Sequence, residues 1–289
     1  MENLYKGIRN VGRMLNVPCP LCGSNRRTPI HKEGDFIMNR CISCGFIYMS
    51  PRPDKSFIIK FYQHYLPKNS DEIYKWKKMT EKVFEKAANF IESNTKRKGK
   101  ILDVGCGFGF FVKEMKERGW EAEGVDLSAY AINFGRKYNL SLFKSTIWDM
   151  HYPDDYFDVI TAFYLIEHLE DPLGFIKEVL RILKPGGIFL ARYPHTTPIK
   201  NMLAFFKIKN HLYNMPAHLS DFSPKKIKEV LEGVGFKNVY SFPGGYTKPE
   251  GFFPSFITAF LGILGEGIYL ISRGKILIPG ISKNVIGWK

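Results

Sequence analysis

The sequence predicts an α/β protein in which a doubly wound, parallel sheet follows a small cysteine-bound metal module. Apolar runs of strand length alternate with amphipathic helical stretches from residue 100 to residue 242, the pattern of repeated βαβ units. Ahead of them, Cys19-Pro-Leu-Cys22-Gly and Cys41-Ile-Ser-Cys44-Gly repeat a Cys-x2-Cys pair across an 18-residue gap. With 289 residues, 45% hydrophobic and 15% aromatic, the chain can bury one large α/β core and still carry appendages.

The paired cysteines come first in chain order. Four thiolates at this spacing close a tetrahedral shell with no open position for chemistry, so residues 1–54 read as a structural zinc ribbon with Cys19, Cys22, Cys41 and Cys44 as ligands. Iron or an unmetallated relic are the alternatives. So short a segment buries little core, and metal binding worth roughly 10 to 16 kcal/mol would fold it. His31 lies between the pairs and reads as a surface residue, because four cysteines already satisfy the ion. With the fifth cysteine, Cys106, inside a glycine run and no basic start followed by an apolar stretch, the expected compartment is reducing and cytoplasmic.

Residues 55–98 read as a helical connector. Within 71–94, Ile73, Trp76, Met79, Val83, Phe84, Ala87, Phe90 and Ile91 recur at three- and four-residue steps with lysines opposite, which predicts a helix packed on the sheet edge. The cluster Phe61-Tyr-Gln-His-Tyr65 is either packing or part of a cover over a ligand site.

The core spans 99–250. Strands are expected at 100–104, 121–125, 140–143, 157–163, 187–193 and 237–242, and helices at 109–118, 128–138, 172–183 and 223–234. Pro172 marks a helix start and Lys184-Pro-Gly-Gly187 a helix stop. In Lys100-Ile-Leu-Asp-Val-Gly-Cys-Gly-Phe-Gly-Phe111 a short strand runs into glycines 105, 107 and 109, which let the backbone turn beside a ligand. The next strand ends at Asp126, 23 residues after Asp103, close to the roughly 20-residue interval at which a βαβ unit sets a carboxylate on ribose hydroxyls. The spacing is Gly-x-Gly-x-Gly rather than the dinucleotide Gly-x-Gly-x-x-Gly, and the carboxylate of Asp103 would repel a phosphate and suit a cation. A nicotinamide enzyme is the weaker reading.

This run resembles motif I of the class I S-adenosylmethionine-dependent methyltransferases. The resemblance continues through Phe157-Asp-Val-Ile-Thr-Ala-Phe-Tyr-Leu-Ile-Glu-His-Leu-Glu-Asp-Pro172 and Leu183-Lys-Pro-Gly-Gly-Ile-Phe-Leu190. It implies a Rossmann-like, mostly parallel seven-stranded sheet whose last strand is antiparallel, with Lys275–Pro279 as candidate and Gly267–Ile271 as rival. It also implies the cofactor S-adenosylmethionine. Asp103 and Gly105 would meet its amino-acid part, Cys106, Gly107 and Gly109 would form the loop, Asp126 would take both ribose hydroxyls, and Leu127 would lie on the adenine. The family's acid near the end of the third strand is replaced by Thr146, with Asp149 nearby; Ile147 and Trp148 supply an amide and a wall, and Tyr164 completes the set.

For the chemistry, the resemblance implies His168 as general base; His195, after the fifth strand, and His218, in the insertion 196–222 read as a substrate lid, are candidates for touching substrate, and Glu167 reads as structural. For each histidine, helix capping or a hydrogen bond within its loop is the competing role.

The formal charge of +14 is uneven: 20 Lys/Arg against 9 Asp/Glu in 1–100, 11 against 14 in 101–200, and 11 against 5 in 201–289. The basic flanks point to an anionic partner, or to solubility alone. In the C-terminal extension, 251–289, the stretch 252–271 holds one charge, Glu266, but is broken by Pro254 and three glycines. That favours a lid or dimer surface over a membrane-surface contact, and either over a span. A zinc ribbon joined to this core resembles sugar C-methyltransferases and the methyltransferases of polysaccharide pathways, and that resemblance implies a small-molecule or glycan/nucleotide-sugar intermediate as the favoured methyl acceptor. An RNA methyltransferase or a non-catalytic zinc-scaffolded binding module are the alternatives; the first lacks a base-handling Asn-Pro-Pro-Tyr type motif at Phe163-Tyr-Leu-Ile166.

Overall fold

The computed structural model describes residues 13–289 except 209, 248–251 and 279–281. It begins with β1 (Met14–Leu15), β2 (Arg27–Glu33), β3 (Phe36–Cys41), β4 (Ile47–Met49) and β5 (Arg52–Pro53). β2, β3 and β4 form an antiparallel meander, and β1 pairs with β5. Two capped helices follow, α1 (Lys55–Tyr65), where Asp54 accepts from the Phe57 amide, and α2 (Ser70–Asn94), where Asn69 accepts from the Glu72 amide. As the periodicity requires, α2 buries Ile73, Val83, Ala87 and Ile91 along one stripe.

The core alternates β6 (Lys100–Val104), α3 (Phe110–Glu117), β7 (Glu121–Asp126), α4 (Ala129–Arg136), β8 (Ser141–Lys144), β9 (Phe157–Phe163), α5 (Pro172–Ile182) and β10 (Leu183–Tyr193). After it come α6 (Thr197–Phe205), β11 (Ser220–Asp221), α7 (Pro224–Val234), β12 (Lys237–Pro243), α8 (Phe252–Ile271) and β13 (Lys283–Trp288). The sheet order is β8-β7-β6-β9-β10-β13-β12, parallel from β8 to β10, with β13 antiparallel to both neighbours. β6 and β9 are adjacent although β7 and β8 separate them in the chain. The path reverses there, which opens a crevice at the carboxyl ends of β6 and β9.

Two expectations need correction. The seventh strand is Lys283–Trp288, not Lys275–Pro279 or Gly267–Ile271. The second of those lies inside α8, and of the first Lys275–Ile278 is irregular while Pro279 lies outside the described residues. Hydropathy misleads because the true strand opens on Lys283 and Asn284, polar residues that are nonetheless buried between β10 and β12. β10 also starts earlier than 187: Leu183 already pairs with Phe157, and Lys184–Gly187 is a register break within the strand.

The cysteine module is not a separate bead. β11, from the 196–222 insertion, pairs with β4 as the outer strand of the module's own sheet, and Phe46 packs on Phe222 at 4.7 Å between ring centroids. Cys19, Cys41, Phe46 and Tyr48 share one apolar cluster with Leu102, Ile160 and Phe189 of the core. At the other end, α8 is fastened by an ion pair between Lys86 and Glu266. Among the described residues no helix is long and apolar enough to cross a membrane.

Candidate active site

The glycine loop joins β6 to α3 in the crevice. Gly109 has φ +76°, and a Cβ there would stand 2.7 Å from Leu142, so this turn excludes a side chain. Asp103 ends 4% exposed, and its partner in register on β9, Thr161, donates its hydroxyl to Asp103 Oδ1 at 2.7 Å. Burial pushes the Asp103 carboxyl up to about 7; the Thr161 hydroxyl opposes this and the charge of Asp126 adds to it. Asp126 accepts from the Gly107 amide at 2.9 Å through Oδ2 and from the Ser128 amide at 2.7 Å through Oδ1. Each oxygen keeps a lone pair for a ligand hydroxyl. Its carboxyl also lies above the usual range, because burial outweighs the Ser128, Gly107 and Leu127 amides.

Around this pair, Leu127 and Trp148 stay 36% and 41% exposed, apolar surfaces without cover, while Ile147 is buried beneath them. Thr146 donates its hydroxyl to Asp149 at 2.7 Å and accepts from the Asp149 amide, so the two form one polar unit at the loop. Cys106 faces the other way. Its sulfur would lie 2.7 Å from a Cβ on Gly124, and burial raises its thiol well above the ordinary value.

A second polar group lies just past β9. Glu167 is 1% exposed, and among the described residues neither of its carboxylate oxygens has a hydrogen-bond partner. Burial raises it to about 8; its own amide opposes this and the charge of Asp221 adds. His168 Nε2 lies 3.9 Å from Glu167 Oε1, and its Nδ1 faces the Ala217 carbonyl at 2.9 Å and the Tyr62 hydroxyl at 2.8 Å. The ring of His218 meets that of His168 edge to face at 4.8 Å. Burial lowers His168 to about 4, with the Ala217 carbonyl working against it, and holds His218 well below its usual range, helped by His168. Both imidazoles are therefore neutral near pH 7.

The pieces of this group are far apart in sequence and are tied by backbone. The Leu219 amide donates to the Glu167 carbonyl, and the Met49 amide of β4 donates to the Leu219 carbonyl, both at 2.8 Å. His195, after β10, does not join the Glu167–His168–His218 group; burial and the neighbouring charge of Lys283 lower it to about 4.

A methyltransferase domain model matches residues 75–241, more than half of the chain. The chain belongs to the methyltransferase domain family. It is 26% identical over 174 residues to a probable S-adenosylmethionine-dependent methyltransferase of Mycolicibacterium smegmatis, covering 60% of this chain and 63% of that one. It is 35% identical over 95 residues to the ubiquinone biosynthesis O-methyltransferase of Thiobacillus denitrificans, covering 30% and 41%. The chain thus spans less than two thirds of the length of these curated relatives. A solved methyltransferase from Archaeoglobus fulgidus shares the fold at a TM-score of 0.53 with 21% identity, over 76% of this chain and all of that one.

The matched methyltransferase domain starts within α2, so the four cysteines lie outside it. Their sulfurs nevertheless converge: Cys19 and Cys44 are 3.6 Å apart, Cys22 and Cys41 3.5 Å. Those spacings approach the edge of about 3.8 Å of a tetrahedron with metal–sulfur bonds of ~2.3 Å. Burial raises the Cys41 thiol, but the Cys44 and Ser43 amides and the Cys22 sulfur more than offset this and hold it at about 7.

Sequence reading missed two residues of the candidate site, Thr161 and Arg192. Thr161 could have been found by pairing the first and fourth predicted strands, which sets it beside Asp103. Arg192 could not. It is 1% exposed and donates to the Tyr164 hydroxyl at 2.6 Å and to the Gly244 and Gly245 carbonyls at 2.7 and 3.0 Å. Tyr164 itself takes φ 54°, its amide held by the Arg192 carbonyl.

Proposed function

We propose that this chain transfers the methyl group of S-adenosylmethionine to a small molecule or glycan-linked intermediate. The observation that carries the reading is the pair of carboxylates, buried Asp103 and half-buried Asp126, on either side of a glycine loop at the point where the sheet reverses. A carboxyl raised by burial and by a second negative charge is a site that a cation relieves, which fits the ammonium and sulfonium of this cofactor and not a pyrophosphate. When bound, the cofactor supplies an electrophilic methyl. The residues then divide the holding of it: Asp103 takes the amino-acid end, Asp126 the ribose hydroxyls, Leu127 and Trp148 the faces of the adenine, and the Ile147 amide and the Thr146–Asp149 unit its edge, with Tyr164 bordering the acceptor side.

The acceptor end is the Glu167–His168–His218 group, walled by Tyr62 and Tyr65 from α1. A base titrating near the ordinary histidine value of about 6.5 is not what the burial of His168 gives. At about 4 it stays unprotonated across the neutral range, and turnover carried by it would be flat there. The chain's main contribution is then alignment in a dry crevice, which in favourable cases is worth roughly 7 to 11 kcal/mol. The ubiquinone names among the relatives support a small acceptor over RNA. The four sulfurs suit zinc, held by Cys19, Cys22, Cys41 and Cys44 as a structural ion.

The test is transfer of labelled methyl from S-adenosylmethionine to fractionated cell extract by the purified chain. Label in small molecules or lipid- and nucleotide-linked glycans is expected. Label confined to RNA, or none with the cofactor bound, would overturn the reading.

A further inference from the structure

We infer that Glu167, His168 and His218 form a second metal site, for a divalent first-row transition ion, in addition to the cysteine site. Five observations lead there. The three side chains each bring a ligand atom within 4.8 Å of the others. Both oxygens of Glu167 are buried without a hydrogen-bond partner among the described residues, in a protein interior where a carboxylate is costly unless something compensates it. His168 is held as metal-binding histidines are. Its Nδ1 meets the Ala217 carbonyl at 2.9 Å, which fixes the tautomer with the proton on Nδ1 and turns the Nε2 lone pair towards Glu167.

The Tyr62 hydroxyl also donates to the Ala217 carbonyl, at 2.7 Å, and steadies that orientation from α1. Finally, His218 is brought to the other two by the backbone of its neighbour, through the Leu219 amide on the Glu167 carbonyl.

Two imidazoles and one carboxylate, with no sulfur, select a transition ion of the iron, cobalt or zinc kind over magnesium or calcium, and leave coordination positions open. Bonds of about 2.1 Å require ligand atoms nearer to ~3 Å apart, so the side chains draw together as the ion enters. On binding, the ion displaces the proton that the buried Glu167 carboxyl otherwise holds. An acceptor hydroxyl occupying an open position would be acidified there, supplying the activation that neutral His168 does not. That role rests on the methyl-transfer reading above; the presence of the site does not, and it is read without turnover.

The experiment is a titration of the full chain, its cysteines first filled with zinc, with Co2+ followed by visible absorption. One equivalent is expected to bind with weak d–d bands and no thiolate charge-transfer band, which separates it from exchange into the cysteine site. Glu167→Gln and His218→Ala should each weaken Co2+ at least about tenfold. Both should keep their affinity for S-adenosylhomocysteine, which also shows that they are folded. His168→Gln provides a third variant should either of these fail to fold. Failure of wild-type protein to bind Co2+ at millimolar concentration, or unchanged binding in the folded variants, would overturn the site while leaving the methyl-transfer reading standing.

Discussion

The two ends of the crevice are built in opposite ways. The proposed cofactor end comes from one continuous stretch, β6 to β7, in which the loop, Asp103 and Asp126 are fixed by adjacent parallel strands and by the loop's own amides. The proposed acceptor end is assembled from Tyr62, Glu167 and His168, and Ala217 and His218, and its frame is completed by Met49 of the cysteine module. A local βαβ unit can hold a conserved type of ligand with little outside help, whereas an assembled site depends on every element that meets there. The second arrangement is the one that can change acceptor without disturbing the cofactor.

The largest effect should follow from breaking the module. Cys41→Ser removes a ligand whose ion is worth roughly 10 to 16 kcal/mol in isolated zinc modules. Turnover should fall by about 10² or more, while S-adenosylhomocysteine affinity, measured by calorimetry, stays within about threefold of wild type. If both fall together, the two ends are not independent. Next in size, Asp126→Ala should cost roughly 2 to 4 kcal/mol of cofactor affinity, since it removes charge-assisted hydrogen bonds to the ligand and frees the Gly107 and Ser128 amides. Wild-type affinity in this variant would contradict the assignment.

Tyr164→Phe should leave the buried Arg192 Nε without its partner and cost about 1 to 3 kcal/mol in urea unfolding, with cofactor binding little changed. The smallest effect is a pH slope. Asp103, held at about 7, is protonated below that value, and a cation binds the ionised form. Affinity for S-adenosylmethionine should therefore be flat above pH 7 and fall towards about tenfold per unit below it. Asp103→Asn should abolish the slope in calorimetry at pH 6, 7 and 8.

The same contrast decides what could be read beforehand. The loop, Asp126 and the cysteines were legible because each is a short run whose spacing alone carries the geometry. Strands β6, β7 and β9 were legible because apolar periodicity survives in a buried parallel sheet. β13 was not, because its burial of Lys283 and Asn284 is decided by neighbours about 90 residues earlier in β10. Nor were the surroundings of Glu167. Its burial, without a hydrogen-bond partner on either carboxylate oxygen among the described residues, depends on Ala217 and Leu219 arriving from the insertion, and a single sequence does not encode that meeting locally.

The pairing of β11 with β4 also has a history in time. Tyr48 and Ser220 are partners 172 residues apart. At synthesis rates of about 5 to 20 residues per second, the cysteine module waits on the order of 10 to 30 s for its outer strand to be made. Throughout that interval β4 presents an unpaired edge, the feature most prone to join a foreign chain. With the proposed ion on its four cysteines the module would hold its shape before any core exists to support it, and a shortage of metal would then be felt first as aggregation of unfinished chains and only afterwards as lost catalysis.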